Sequence, residues 1–353
     1  MKAAVYHGVQ DIRTEMVNDP EITAPHELIV RVRATSICGS DLHIYRGALD
    51  GIMQPGHSRT GHELVGEVVE TGSDVGRFRP GDRITMAYSC SCGTCPMCEL
   101  GQTAHCETTN KAVYGFGDAF GDMNGTHAEL MCIPHADAHA IQVPRSVDDK
   151  GAITLSCNLP TAIIANIMAG IREGETAALI GCGPTGLMCL DLAMARRPKR
   201  LAAFDPCMER RYLAERKGAV ALDANADSAV EHALDLTGGR GFDKVIEVVG
   251  TPESLNLALS LTRAGGTISA VGVFTSDTFN LNLADVFLRD ISLHMNGFAN
   301  VQPVMNAGLE LLERGEIAVD DLFTHEFELT EIGHAFRMFN DKSDGACKVL
   351  IRP

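Results

Sequence analysis

Apolar and polar positions along this chain change their period near residue 174 and again near residue 298. Before the first change, short runs alternate with a period of two and are cut by Gly and Pro: ELIVRVRAT from Glu27, ELVGEVVETG from Glu63, DRITMAY from Asp82 and THAELMCIP from Thr126. Alternation over so few residues marks strands with one buried face, so the first 150 or so residues read as β-rich. After residue 174, short apolar runs alternate with segments whose apolar residues recur every third or fourth position. TAALIG precedes PTGLMCLDLAMARR, RLAAF precedes MERRYLAERKG, FDKVIEVVG precedes ESLNLALSLTRA, and GGTISAVGV follows. Strand and helix in strict alternation predict a parallel sheet covered on both faces. In the tail the pattern predicts a helix in VMNAGLELLERGE and a last strand in CKVLIRP. The two changes of period are the candidate domain boundaries.

Length and charge narrow the picture. A chain of 353 residues is long for one core, which favours two domains. A net charge of -16, with RRPKR at 196–200 as the only short basic run, argues against a nucleic-acid partner or an anionic membrane surface. The opening MKAAVYHGVQDIRTE has no apolar core of the leader type, and no later run reaches the length of a membrane span, so the expected location is the cytoplasm. Twelve cysteines in a reducing compartment are then metal ligands, catalytic groups or small buried apolar residues rather than disulfides.

Five of those cysteines fall in CSCGTCPMCELGQTAHC, residues 90–106. Cys92, Cys95, Cys98 and Cys106 are spaced C-x2-C-x2-C-x7-C, with Gly93, Pro96 and Gly101 supplying turns that let one loop surround a tetrahedral ion. Four thiolates close a zinc shell and leave no position for substrate, so such a site is structural. Cys90 has no assignment.

A different chemistry is written in ALIGCGPTG. Gly181, Gly183 and Gly186 form G-x-G-x-x-G after a predicted strand and at the start of a predicted helix. Such a turn lets backbone amides and a helix N-terminus approach a pyrophosphate. The next strand ends in Asp205, nineteen residues beyond Gly186, where a carboxylate would accept the adenosine ribose hydroxyls. That favours NAD over NADP, because a 2′-phosphate would face the negative charge; Arg210 and Arg211, a turn later, are the cations on which such a phosphate would have to sit.

Two further segments hold metal-binding side chains: ATSICGSDLHIYRG with Cys38, Ser40, Asp41 and His43, and TGHELVGE with His62 and Glu63. Joined by Cys157 of ITLSCNLPTA, they supply two thiolates and one imidazole, a zinc shell with an open fourth position. An open zinc beside a nicotinamide would stabilise an alkoxide and make its carbon a hydride donor. Spacing alone does not join these segments.

With these motifs in order, the chain resembles the medium-chain, zinc-dependent alcohol dehydrogenase family over essentially all 353 residues. The resemblance is carried by CGSD at 38–41, GHELVGEVVETGSDV at 61–75, RPGDRI at 79–84, the four-cysteine lobe, GCGPTG and Asp205. It implies an α/β protein. A GroES-like catalytic domain would comprise 1–157 and 298–353, with a structural zinc lobe at about 90–106, and a doubly wound Rossmann domain would occupy 158–297. It implies two zinc ions per chain, one on Cys92, Cys95, Cys98 and Cys106, the other on Cys38, His62 and Cys157, with NAD as cofactor.

The resemblance also implies roles for single residues. Asp41 would orient His62, Glu63 would stand beside the zinc and exchange with bound water, and Ser40 and His43 would relay the alcohol proton. Thr161 would lie on the nicotinamide side, Lys348 would meet the cofactor's phosphates, and Tyr88 and Val273 would line the pocket. The implied reaction is reversible hydride transfer from an alcohol, giving an aldehyde or ketone. Simple alcohols, polyols, threonine and formaldehyde are substrates of different branches. A neutral alcohol or carbonyl compound fits this chain, which shows no basic pair placed for a carboxylate or phosphate. Two rivals are a zinc-less enone or quinone reductase and a non-catalytic nucleotide-binding protein. A homodimer or homotetramer through Rossmann edge strands is implied, with RDISLHMNG a candidate edge.

Overall fold

The alternating run from Glu27 becomes the strand Glu27–Ile37, the centre of a sheet built in the first of two units. In the computed structural model, which describes residues 1–49 and 51–353, the units are Met1–Pro160 with Asn300–Pro353, and Thr161–Ala299. The first unit's sheet runs in the order Phe323–Glu328, Lys348–Arg352, Glu27–Ile37, Leu64–Thr71, Arg83–Met86 and Ala140–Gln142. Leu130–Pro134 also pairs with Glu27–Ile37. The apolar residues of the alternating runs meet in one core that includes Leu28, Val30, Val32, Leu64, Val68, Ile84, Met86, Met131 and Ile133. The C-terminal strand lies antiparallel to Glu27–Ile37, with Val349 opposite Ile37, and so brings the end of the chain beside Cys38. The pattern had not marked the N-terminal hairpin of Lys2–Gly8 and Asp11–Met16, whose first strand is buried at four consecutive positions rather than alternately.

In the second unit, the three strand–helix runs and the strand run that follows them form a parallel sheet. Its order is Val220–Leu222, Arg200–Phe204, Thr176–Ile180, Phe242–Glu247, Thr262–Ala270 and Ser292–Met295. Numbered within the unit, this is 3-2-1-4-5-6, in which the direction of winding reverses between Thr176–Ile180 and Phe242–Glu247; ligands of such sheets bind at the carboxyl ends of the strands there. One expected boundary moves. The helix Pro252–Leu261, closed at its start by the reciprocal Thr251 and Ser254 hydrogen bonds, stops three residues before the end of its periodic run. The chain becomes extended at Thr262, which pairs with Phe242. No helix among the described residues is long and apolar enough to cross a membrane.

Candidate functional site

Strand Glu27–Ile37 ends by delivering Cys38, and the short helix Asp41–Tyr45 begins three residues later. The Cys38 amide donates to Asp41 Oδ2 at 2.8 Å, while Asp41 Oδ1 lies 3.0 Å from His62 Nδ1. Asp41 and His62 are both buried, so the carboxylate fixes the ring with Nδ1 occupied and Nε2 available. Cys157 sits on a turn clamped by the preceding residue: Ser156 Oγ lies 3.0 Å from Thr85 Oγ1 and accepts from the Leu64 amide at 3.3 Å. The donor atoms of Cys38, His62, Glu63 and Cys157 all lie within 4.8 Å of one another.

The electrostatics of this cluster ask for a cation. A hydrogen bond from Cys157, with His62 close by, holds the Cys38 thiol well below its ordinary range. Burial opposes charge on His62, yet Asp41 raises the imidazole well above its usual value. Burial pushes Glu63 up to about 7, although Lys348 pulls in the other direction. Glu63 Oε2 accepts from Lys348 Nζ at 2.6 Å and from the Ser36 hydroxyl, but buried Oε1 has no hydrogen-bond partner among the described residues. Two sulfurs, one imidazole nitrogen and an unsatisfied carboxylate oxygen are a donor set suited to zinc.

Around the cluster, Ser40 Oγ lies 3.3 Å from His62 Nε2. His43 is in the last turn of the helix Asp41–Tyr45; burial, then the charge of Arg46, lowers its pKa. Lys348 is not where the resemblance placed it. Its side chain is 0% exposed and is committed to Glu63, so no surface remains on it for a phosphate. Tyr88 packs edge-on to His62 with ring centroids 6.3 Å apart. The sequence reading missed Phe116, edge-on to the same ring at 5.6 Å. It rides between Gly115 and Gly117, at φ of 72° and 69°, and a Cβ on Gly117 would fall 1.9 Å from the Ile52 carbonyl oxygen. An aromatic residue between two glycines in YGFGD was the available signal.

The four cysteines of the lobe also converge, with Cys92, Cys95, Cys98 and Cys106 sulfurs within 4.8 Å of one another. Backbone amides face them: Cys92 N–H points to Cys106 Sγ at 3.4 Å, and Cys95 N–H to Cys92 Sγ at 3.3 Å. Against the effect of burial, the Thr108 and Thr94 hydroxyls and neighbouring amides bring the Cys92 thiol down to about 5. These donors disperse thiolate charge and fit a closed metal shell. Cys90 belongs to the hydrophobic core beside Tyr114, and burial pushes its thiol up to about 12.

In the second unit, Gly181 has φ 96° and a Cβ on Gly186 would stand 1.9 Å from the Gly181 carbonyl oxygen, so the turn admits no side chain at either position. Gly183 is the N-cap of helix Pro184–Met194, whose amides therefore open on the turn. Asp205 accepts the Cys182 amide on Oδ2 and the Cys207 amide on Oδ1, each at 2.8 Å. The Arg210 guanidinium stands over the same turn, 3.7 Å from where a Cβ on Gly183 would be. Arg211 is engaged by the Asp205 and Pro206 carbonyl oxygens, both at 2.9 Å, and by Asp223 at 3.3 Å. Thr161 is buried in helix Asn158–Ala169, and Val273 is half-buried.

Comparison with known proteins agrees with this geometry. Residues 24–145 match the alcohol dehydrogenase GroES-like domain and 184–314 the zinc-binding dehydrogenase domain. A Mycobacterium tuberculosis protein described as a probable zinc-binding alcohol dehydrogenase is 33% identical over 353 residues, spanning 100% of this chain and 89% of its own. The solved alcohol dehydrogenase of a Thermus species superposes with a TM-score of 0.92 at 34% identity, covering 100% of this chain and 99% of that one. A zinc-binding dehydrogenase from Sinorhizobium meliloti, bound to NADP, gives a TM-score of 0.86 at 29% identity, covering 100% and 99%.

Proposed function

This chain belongs to the medium-chain zinc-dependent alcohol dehydrogenase family, and from that premise we propose that it passes hydride reversibly between a small neutral alcohol and NAD, giving an aldehyde or ketone. The observation that carries the reading is the convergence of Cys38, His62 and Cys157 beside the unsatisfied Glu63 oxygen. Zinc held there would supply a Lewis acid that lowers the pKa of the alcohol hydroxyl. Asp41 holds His62 in the tautomer that leaves Nε2 outward. Ser40 stands next to that nitrogen and would take the alcohol proton; His43, three residues on with its pKa lowered by burial, would accept it from Ser40. NAD held at the turn of Gly181, Gly183 and Gly186 with Asp205 would supply the hydride acceptor, and loss of the hydroxyl proton and the carbon-bound hydride together would turn the alcohol into a carbonyl compound.

NAD is favoured by Asp205 at the glycine turn and by the prior engagement of Arg211, which a 2′-phosphate would have to break. The aromatic pair Tyr88 and Phe116 favours an apolar substrate over a polyol. Two clusters of thiol ligands for metal suit a reducing compartment, the cytoplasm. Leu283, Phe287 and Leu288 are more than two-thirds exposed beside the edge strand Ser292–Met295, which supports a homodimer or homotetramer through that edge.

The test is the initial rate of nicotinamide reduction by zinc-loaded protein with primary alcohols, secondary alcohols, polyols, threonine and formaldehyde, each with NAD and with NADP. Turnover of apolar alcohols with NAD is expected. Turnover confined to polyols or to NADP overturns the substrate or cofactor assignment, and none at all overturns the catalytic reading.

A further inference from the structure

The turn that carries Cys157 presents a second polar side chain to the same centre. Asn158 is buried at 2% exposure and directs Nδ2 at Cys38 Sγ, 3.6 Å away, a normal N–H···S separation given the size of sulfur. The contact joins residues 120 positions apart and is held from both sides. Cys38 is fixed through its amide to Asp41, and Asn158 through Ser156, whose hydroxyl reaches Thr85 and Leu64 and whose carbonyl accepts the Tyr88 amide at 2.9 Å. A metal-bound thiolate offers only lone pairs, so the amide NH2 is the end of Asn158 that can face it.

We propose that Asn158 is a positioning and tuning residue for the metal centre, donating an N–H to the Cys38 sulfur. The inference rests on the metal reading of that centre. Two thiolates and a carboxylate place an excess of negative charge in a buried volume. Lys348 answers it at Glu63, and Asn158 answers it at Cys38. A hydrogen bond to a ligand sulfur draws electron density from it, which keeps the bound cation electrophilic, and it fixes the rotamer in which the sulfur meets the cation. Cys157, which contributes the other sulfur, adjoins Asn158 in the chain, so one turn supplies a ligand and the donor that tempers its counterpart.

The experiment uses full-length protein loaded with spin-active cadmium and read by cadmium NMR. The four-thiolate lobe and the mixed sulfur–nitrogen centre give separate resonances, and the lobe serves as an internal control for folding. In Asn158→Leu, which roughly keeps the volume and removes the donor, the mixed-centre resonance is expected to move while the lobe resonance does not. Loss of metal from that centre to a chelator should become about 10-fold faster. Asn158→Gln, which keeps the amide, should lie closer to the parent on both readouts. Asn158→Ala, which only deletes atoms, is measured in parallel in case the leucine disturbs the turn. An unmoved mixed-centre resonance and an unchanged rate of metal loss in both donor-free variants overturn the proposal. A parent protein that shows a lobe resonance alone overturns the metal reading itself.

Discussion

Asp205 holds two backbone amides with its two carboxylate oxygens, and one of them belongs to Cys182 within the glycine turn. The side chain expected to select the ribose thus also shapes the loop proposed to receive the pyrophosphate. Its lone pairs are not exhausted, because each carboxylate oxygen can accept more than one hydrogen bond. Asp205→Ala should therefore weaken NAD on two counts and raise its KM by about 10-fold or more, the scale of a lost charge-assisted hydrogen bond. The KM for NADP should change less, since the same substitution removes the charge that opposes a 2′-phosphate. Steady-state kinetics with both cofactors checks this, and an equal rise for the two would assign Asp205 to the turn alone. The four lobe cysteines were legible because C-x2-C-x2-C-x7-C has few other uses, whereas Cys38, His62 and Cys157 are too far apart for spacing to join and were assigned only through the family resemblance. Lys348 was not, because its partner Glu63 is 285 positions away and a lone lysine is ordinarily solvated. Asn158 was illegible for a related reason, since an amide carries no chemistry that spacing can announce, and Phe116 had only its two flanking glycines to mark it.

Among the elements, those with a clear period were readable and those at the margins were not. Strands Thr176–Ile180 and Phe242–Glu247 stood out as apolar runs, whereas the edge strand Val220–Leu222 is short, partly exposed and without a period; the other edge, Ser292–Met295, is also short and partly exposed, and it was marked within RDISLHMNG by the resemblance and not by a period. Equally invisible was the clasp across three strands made by Asp243. Its Oδ2 accepts the Thr176 amide at 2.7 Å and hydroxyl at 2.8 Å, and its Oδ1 accepts Arg263 Nε at 2.6 Å. Burial alone would raise this carboxyl, but the Thr176 and Arg263 donors bring it down to about 2 from an ordinary 3.8. A carboxylate with a depressed folded pKa stabilises the protein above its unfolded value, and the contribution disappears as pH falls through the folded one. Asp243→Asn should thus cost about 1 kcal/mol at pH 7, discounted for the open side of the carboxylate. The deficit should shrink between about pH 4 and pH 2. Urea unfolding midpoints of both proteins across that range measure it, and a pH-independent difference would exclude the clasp as its source.

For the molecule as a whole, the two proposed metal sites would divide the work between chemistry and architecture, and they should part with metal separately. With three ligands, the centre of Cys38, His62 and Cys157 would keep a fourth position for substrate and therefore for a chelator, whereas the lobe would close its shell with four sulfurs faced by amide donors. The lobe's cysteines cluster only with one another and Met97, and the principal core of the first unit is assembled from the strands instead. Outside its sulfurs the lobe is tied down by Asn300, which accepts the Ala104 amide at 3.0 Å and donates to the Gln102 side chain at 2.9 Å. Gradual chelation should first release one equivalent of metal with loss of turnover and no change in protease resistance. The second equivalent should then open residues 90–106 to cleavage while the strand core keeps its protection. Metal release, activity and limited proteolysis followed on one sample distinguish the cases. Cleavage that begins with the first equivalent would mean that the lobe is the weaker site, and global unfolding with the second would mean that the sheet core depends on the closed lobe.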